Sequence, residues 1–286
     1  MTLAALFLPV VIARAVAETA SVLPAHAVVL YSGPGVTTFN QLNTGLTGGF
    51  VEEREVPRAF QIRLDVYAVW SPLERLQLSL YVPPTYAFAI DHSEPRLSVA
   101  QAGVQARWAL SREVLQSAVG LGVASQAWNW QHRNLYTMAG EATTDILPAI
   151  YLGTSGAVAG FSLGAALFGN YAFRIPAGEQ PDVEGKAPKD HVRAGLEARA
   201  GRGPVTLEVG GYTYQRLGGT IHYTLKGSPD VYAAADYDNV SLGLKLSVSL
   251  PKNNGLHTGF TRAVWVHNGP IHATDVTLGF HHYFAP

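Results

Sequence analysis

The chain contains no cysteine, which excludes disulfides, thiolate nucleophiles and cysteine-ligated zinc. Charge is scarce as well. Asp, Glu, Lys and Arg together make 14 % of the residues, against roughly 25 % in soluble domains. What charge there is nearly cancels, with a net value of −1, so nothing points to nucleic acid or an anionic surface as partner. Beyond the N-terminus no apolar run reaches the ~18 residues that a membrane-spanning helix needs. Neither a His-Glu-x-x-His motif nor a cluster of carboxylates occurs, so no metal or other cofactor is expected.

What the sequence holds instead is glycine, 29 residues of it, and a 48 % share of hydrophobic residues laid out with a period of two. Phe60, Ile62, Leu64, Val66, Ala68 and Trp70 alternate with Gln61, Arg63, Asp65, Tyr67 and Val69. Successive side chains on a strand point to opposite sides, so this segment has one apolar and one polar face. The pattern recurs over 76–83, 101–110, 119–123, 161–170, 192–199 and 205–210, and more weakly over 143–154 and 256–267. It is cleanest over 240–250, where Val240, Leu242, Leu244, Leu246, Val248 and Leu250 oppose Ser241, Gly243, Lys245, Ser247 and Ser249. A first strand is expected within 36–47 and a last one over 275–284, which makes twelve.

Many amphipathic strands, few charges and no spanning helix predict an all-β chain folded as a closed antiparallel transmembrane β-barrel. Twelve is an even number, as bacterial single-chain barrels require. Closure follows from solvation, because in hydrocarbon every unpaired backbone N–H or C=O is expensive and an open edge cannot persist. Connections at 71–75, 111–112, 154–158, 201–203 and 251–255 are short, whereas those at 129–142, 175–190 and 215–235 are long. Barrels keep short turns on the periplasmic side, so both termini are expected there. Outward Trp70, Trp108 and Phe284 then fall at periplasmic strand ends, and Phe60, Tyr86 and Phe88 at external ends, as interfacial girdles demand. At the N-terminus an apolar stretch, 3–12, precedes Ala15-Val16-Ala17, which predicts a signal peptide over 1–17. Residues 18–286 form the barrel, with 18–50 supplying the first strand and a stretch able to tuck into the lumen.

The final strand carries Thr277, Gly279 and the near-terminal aromatic Phe284, with His282 where an apolar residue is usual and Ala285-Pro286 trailing. On these residues it resembles the C-terminal assembly signal of bacterial outer-membrane β-barrels. In architecture and glycine-rich strands the chain is similar to the small outer-membrane transporter families, among them the phenol-degradation meta-pathway group. The resemblance implies residence in the bacterial outer membrane, contact with its lipids, and engagement of the barrel-assembly machinery through the last strand. It also implies passage of small solutes, hydrophobic or aromatic compounds among them.

The inward face is where function is expected. Arg63, Arg107, Arg193, Arg199 and Lys245 project into it with Asp65, Glu197, Glu208, His257 and His281. Such charges can line a wet path and select solutes by sign, and five bases against three acids would favour anions. Alternatively they pair across the lumen and fill it, as in small barrels. The first reading makes a channel or transporter, the second a non-conducting structural or ligand-binding barrel. External Trp128, Trp130, His132 and Tyr136 would bind a ligand or form a solvated lid. A third reading, a lipid hydrolase, needs a His with a Ser two residues on. His92-Ser93 are adjacent and would face opposite ways, and His272-Ala273-Thr274 has the wrong hydroxyl, so no enzyme is expected. The last hairpin is expected to turn over Asn268-Gly269-Pro270, pairing Phe260 with Leu278 and His257 with His281. That register points Arg262 at lipid unless a β-bulge between Phe260 and Val264 turns it inward.

Overall fold

A computed structural model describes residues 21–45, 51–82, 84–89, 96–99, 102–125, 143–176, 183–185, 190–217, 221–225, 231–234, 238–267, 270–271 and 273–285. In chain order the strands are β1 (Val28–Gly45), β2 (Val51–Leu73), β3 (Leu76–Val82), β4 (Pro84–Ala89), β5 (Arg96–Val99), β6 (Ala102–Arg112), β7 (Leu115–Ser125), β8 (Thr143–Val158) and β9 (Phe161–Pro176). They continue as β10 (Val183–Gly185), β11 (His191–Arg202), β12 (Val205–Arg216), β13 (Ile221–Leu225), β14 (Val231–Ala234), β15 (Asp238–Leu250), β16 (Asn254–His267), β17 (Pro270–Ile271) and β18 (Thr274–Phe284). Because β4 continues β3, β5 leads into β6 and β17 prefixes β18, the wall has twelve staves. Neighbours in the chain are neighbours in the wall, all antiparallel, and β1 closes the ring by pairing with β2 on one side and β18 on the other.

The two faces separate as the alternation requires. Outward Leu64, Leu121, Leu196, Leu244 and Leu278 are 45–60 % exposed, a cost in water and a gain against lipid chains. Odd-numbered residues such as Asp65, Val69, Arg107 and Tyr151 on the inner face are buried. Trp70, Trp108, Phe161 and Phe284 stand outward at the end holding both termini and the short turns, while Phe173 and Trp265 stand outward toward the other. Phe60 pairs with Phe88 and Ile62 with Tyr86 along β2 and β4.

Turn chemistry explains the short connections. Ala159 and Gly160 both have positive φ and join Val158 to Phe161, the two-residue hairpin whose twist matches that of its strands. Gly203, with φ of 58°, opens the two-residue turn between Arg202 and Val205. Several strands run further into these turns than the alternation showed: β8 reaches Val158 and β6 reaches Arg112. Two of the long connections are not bare loops, since β10, β13 and β14 pair into a separate three-stranded sheet.

Two expectations need correction. The first strand begins at Val28, well before 36. The register of the last hairpin is also two residues from that expected: Phe260 pairs with Val276, and His257 with Gly279 rather than His281. A bulge does form, with Val240 opposite Trp265 but Ser241 opposite Ala263. It takes up Val264, past Arg262, which therefore stays exposed on the outer face. A loop count could not set this register, because the bulge and the break before Thr274 both absorb residues. The offset is even, so side chains up to Ala263 keep their predicted face, whereas past the bulge parity inverts and Trp265 turns outward. The expected signal peptide, the residues Trp128, Trp130, His132 and Tyr136, and the His92, Ser93 and His272 positions lie outside the described residues.

Candidate functional site

The structure puts all ten residues singled out in the sequence on the inner wall: Arg63, Asp65, Arg107, Arg193, Glu197, Arg199, Glu208, Lys245, His257 and His281 occupy its alternating positions. They do not form one cluster but three regions.

The first region stitches the closing seam. Arg63 on β2 reaches across β1 to Asp275 on β18, with Nη1–Oδ1 at 2.6 Å and Nη2–Oδ2 at 3.0 Å. Its Nε donates to both oxygens of Asp65, at 3.0 and 3.1 Å. Thr37 on β1 accepts from Nη1 at 2.9 Å and donates to Asp275 Oδ1 at 2.7 Å. Tyr81 donates to Asp65 at 3.2 Å. The reach is possible because Gly35 lies underneath, where a Cβ would come within 2.8 Å of the guanidinium carbon. A fully satisfied, buried network of this kind fixes one geometry. Here the charges pair and fill, as the second sequence reading has it.

The second region is a band of rings. Tyr81 stacks on Tyr67 at 4.4 Å, Tyr67 meets Tyr31 edge-on at 5.5 Å, and Tyr31 stacks on His257 at 4.7 Å. His257 in turn faces His281 at 6.1 Å. The two histidines are thus diagonal neighbours, each across from a glycine, Gly279 and Gly255. On the far wall Ala118, Ala149, Tyr151, Phe168 and Tyr212 pack together. Arg107 lies 3.9 Å above the Tyr151 ring, and the Tyr151 hydroxyl accepts from Gln105 at 2.9 Å. Phe168 and Tyr212 fold over Gly195, whose missing Cβ leaves them room. The Tyr212 hydroxyl donates to Glu197 at 2.7 Å.

The third region is polar. Arg199, Glu197 and Glu208 line a recess with Gln116, Gly153 and Gly164 toward the end holding the termini, and Lys245 Nζ lies 3.8 Å from Glu208. Toward the opposite end, Arg193 and His191 follow one another along β11.

Among solved structures the chain is similar to an outer-membrane channel from Pseudomonas putida F1. The TM-score is 0.69 at 12 % identity, covering 93 % of this chain and 98 % of that one. It is also similar to the NanC porin, with TM-score 0.50 at 10 % identity, covering 87 % and 98 %. The fold is that of the outer-membrane β-barrels. Comparison with protein-family models and with curated proteins finds no match.

That fold accounts for the departure in the last strand. His282 faces outward at the periplasmic rim, its ring 4.3 Å from Phe284 and its Nδ1 2.7 Å from Asn254. At headgroup level a half-polar ring is at home. Sequence reasoning missed Tyr31, Tyr151 and Phe168 as parts of the lumen. The signal was available for Tyr151 and Phe168, which sit at inner parity, but not for Tyr31, which lies before the segment expected to form the first strand. At the periplasmic rim, within the 18–50 stretch from which an inward-tucked segment was expected, Val22 and Ala27 are buried, Leu23 N–H donates to Gln77 at 3.2 Å and Ser71 donates to Leu23 O at 3.1 Å.

Proposed function

We propose that this chain is a channel of the bacterial outer membrane that passes small organic solutes, including ring compounds, through the lumen of the barrel. The observation that carries this reading is the inner face of β11 and its neighbours. From the periplasmic end outward β11 presents Arg199, Glu197, Gly195, Arg193 and His191 in succession. A lumen serving only as filler is built at lowest cost from apolar side chains, because each buried charge must be matched by a partner. A series of charged groups along one stave, flanked by the Phe168 and Tyr212 rings of its neighbours, suits a solute that exchanges its water for them stepwise. In this reading Arg107, Arg193, Glu197, Arg199, Glu208 and Lys245 line the path, and His257 and His281 edge it. Arg63 and Asp65 hold the seam instead.

A second reading, a barrel that does not conduct, is favoured by the Arg63–Asp275 network and by the segment 21–27 sealed against Ser71 and Gln77. Swelling of liposomes containing the purified barrel separates the two. A channel gives swelling rates that fall with solute size from glycerol through arabinose to sucrose. Rates equal to protein-free liposomes, with the barrel folded and inserted, support the second reading.

A further inference from the structure

Arg262 puts a fixed charge on the outer wall of the barrel, which otherwise offers lipid an apolar surface on its stave and the next. We propose that Arg262, with Thr274 and Thr38 beside it, binds the phosphate of lipid A, the glycolipid of the external leaflet of bacterial outer membranes. The proposal rests on residence in that membrane and not on conduction.

Two rungs of the ladder define the seat. On the first, Val36, Val276, Phe260, Leu244 and Val209 lie side by side on β1, β18, β16, β15 and β12, all exposed on the outer face. Two positions further out the same staves carry Thr38, Thr274, Arg262, Leu242 and Gly211. The wall thus passes from apolar to polar in one step, on three adjoining staves. Directly opposed Cβ atoms lie about 4.5–5.5 Å apart, so the two threonines and Arg262 make a row about 10 Å long.

Their height follows from the strand. Arg262 stands eight positions beyond Asn254, which meets His282 at the periplasmic rim. At about 3.3 Å per residue and a tilt of about 40°, that is a rise of about 20 Å through an apolar band about 25 Å tall. Arg262 therefore lies in the external leaflet, a side-chain length below its headgroups. Trp265, turned outward by the bulge, marks the headgroup level just beyond. A bulge placed one pair earlier would have turned Arg262 into the lumen. Instead it takes up Val264 and leaves the guanidinium outside.

On these staves the described acids are too distant or engaged. Asp275, next to Thr274, points inward to Arg63. Asp238 begins β15 four positions beyond Leu242, about 13 Å along the strand. A charge on the lipid face is costly at the midplane and cheap near the interface, where the side chain can lay its stem on apolar wall and extend its head. A guanidinium takes phosphate through paired hydrogen bonds, and the flanking hydroxyls suit its remaining oxygens. A zwitterionic headgroup presents its phosphate with the charge already cancelled, whereas lipid A presents it uncancelled.

Native mass spectrometry of the full-length barrel in detergent tests this, with lipid A, phosphatidylcholine and inorganic phosphate as probes. Lipid A is expected to be retained over phosphatidylcholine and not displaced by inorganic phosphate. Arg262→Gln should weaken lipid A about ten-fold, the worth of a charged hydrogen bond, and leave phosphatidylcholine unchanged. Arg262→Lys should keep part of the affinity. Arg202, exposed at the periplasmic turn, is the control, and Arg202→Gln should change nothing. Heat-modifiable gel mobility shows that each variant is folded. Lipid A bound equally by Arg262→Gln overturns the site, as does displacement by inorganic phosphate. A loss on Arg202→Gln in place of Arg262→Gln overturns both the site and the orientation of the barrel. No arm reads conduction, so a barrel that retains lipid A through Arg262 but does not conduct keeps this site and overturns the channel.

Discussion

At the scale of single residues, the closing seam rests on Arg63. Its guanidinium is matched by Asp65, Asp275 and Thr37, and all four residues are buried. Removing one partner leaves a buried charge uncompensated. Asp275→Ala should therefore lower stability by about 3–5 kcal/mol, read as a lower urea midpoint for unfolding from lipid vesicles. A midpoint equal to that of the unaltered chain would show that water enters the seam freely. The network was only half legible in the sequence. Arg63 and Asp65 stand two apart on one strand, so their shared face could be read, but Asp275 is brought to them by closure of the ring. The glycine beneath was misleading: Ser32-Gly33-Pro34-Gly35 has the composition of a turn. It is strand because Gly35 makes room for Arg63, and because a Cβ on Gly33 would collide with the backbone of Leu278 and Gly279.

At the scale of elements, alternation was the most legible feature, since inside and outside differ in solvent and a period of two records it at every residue. β15 shows how far this carries. Leu244 faces lipid at mid-strand, while Ser247 faces the lumen near the periplasmic end. Leu244→Arg should cost about 2–4 kcal/mol of folding free energy in lipid, whereas Ser247→Arg should fold in nearly full yield. Equal yields would mean that the faces are reversed. Register was less legible, because loop length and bulges both set it and only the loop can be counted. The pairing of Phe260 with Val276 is open to a clean test in a chain without cysteine. Phe260→Cys with Val276→Cys should cross-link under mild oxidation. Phe260→Cys with Leu278→Cys should not, since diagonal partners lie about 7–8 Å apart. The opposite result would restore the register expected from the loop.

At the scale of the whole molecule, twelve staves lie between barrels filled by their own side chains and barrels that hold open water. Both tendencies are present in this lumen. The seam side is packed with the Arg63 network and the Tyr81–Tyr67–Tyr31 stack, and the side built from β8 to β15 carries the graded charges. Sequence reasoning reached the polarity of the inner wall but not this division. Which charges pair depends on the order of staves around the ring, and no periodicity within one strand records that. The central claim is that the second side conducts, and planar-bilayer recording of the purified chain tests it most directly. Discrete current steps are predicted, with a reversal potential in a potassium chloride gradient displaced toward that of chloride. Folded, inserted barrels that leave the bilayer resistance unchanged would contradict it.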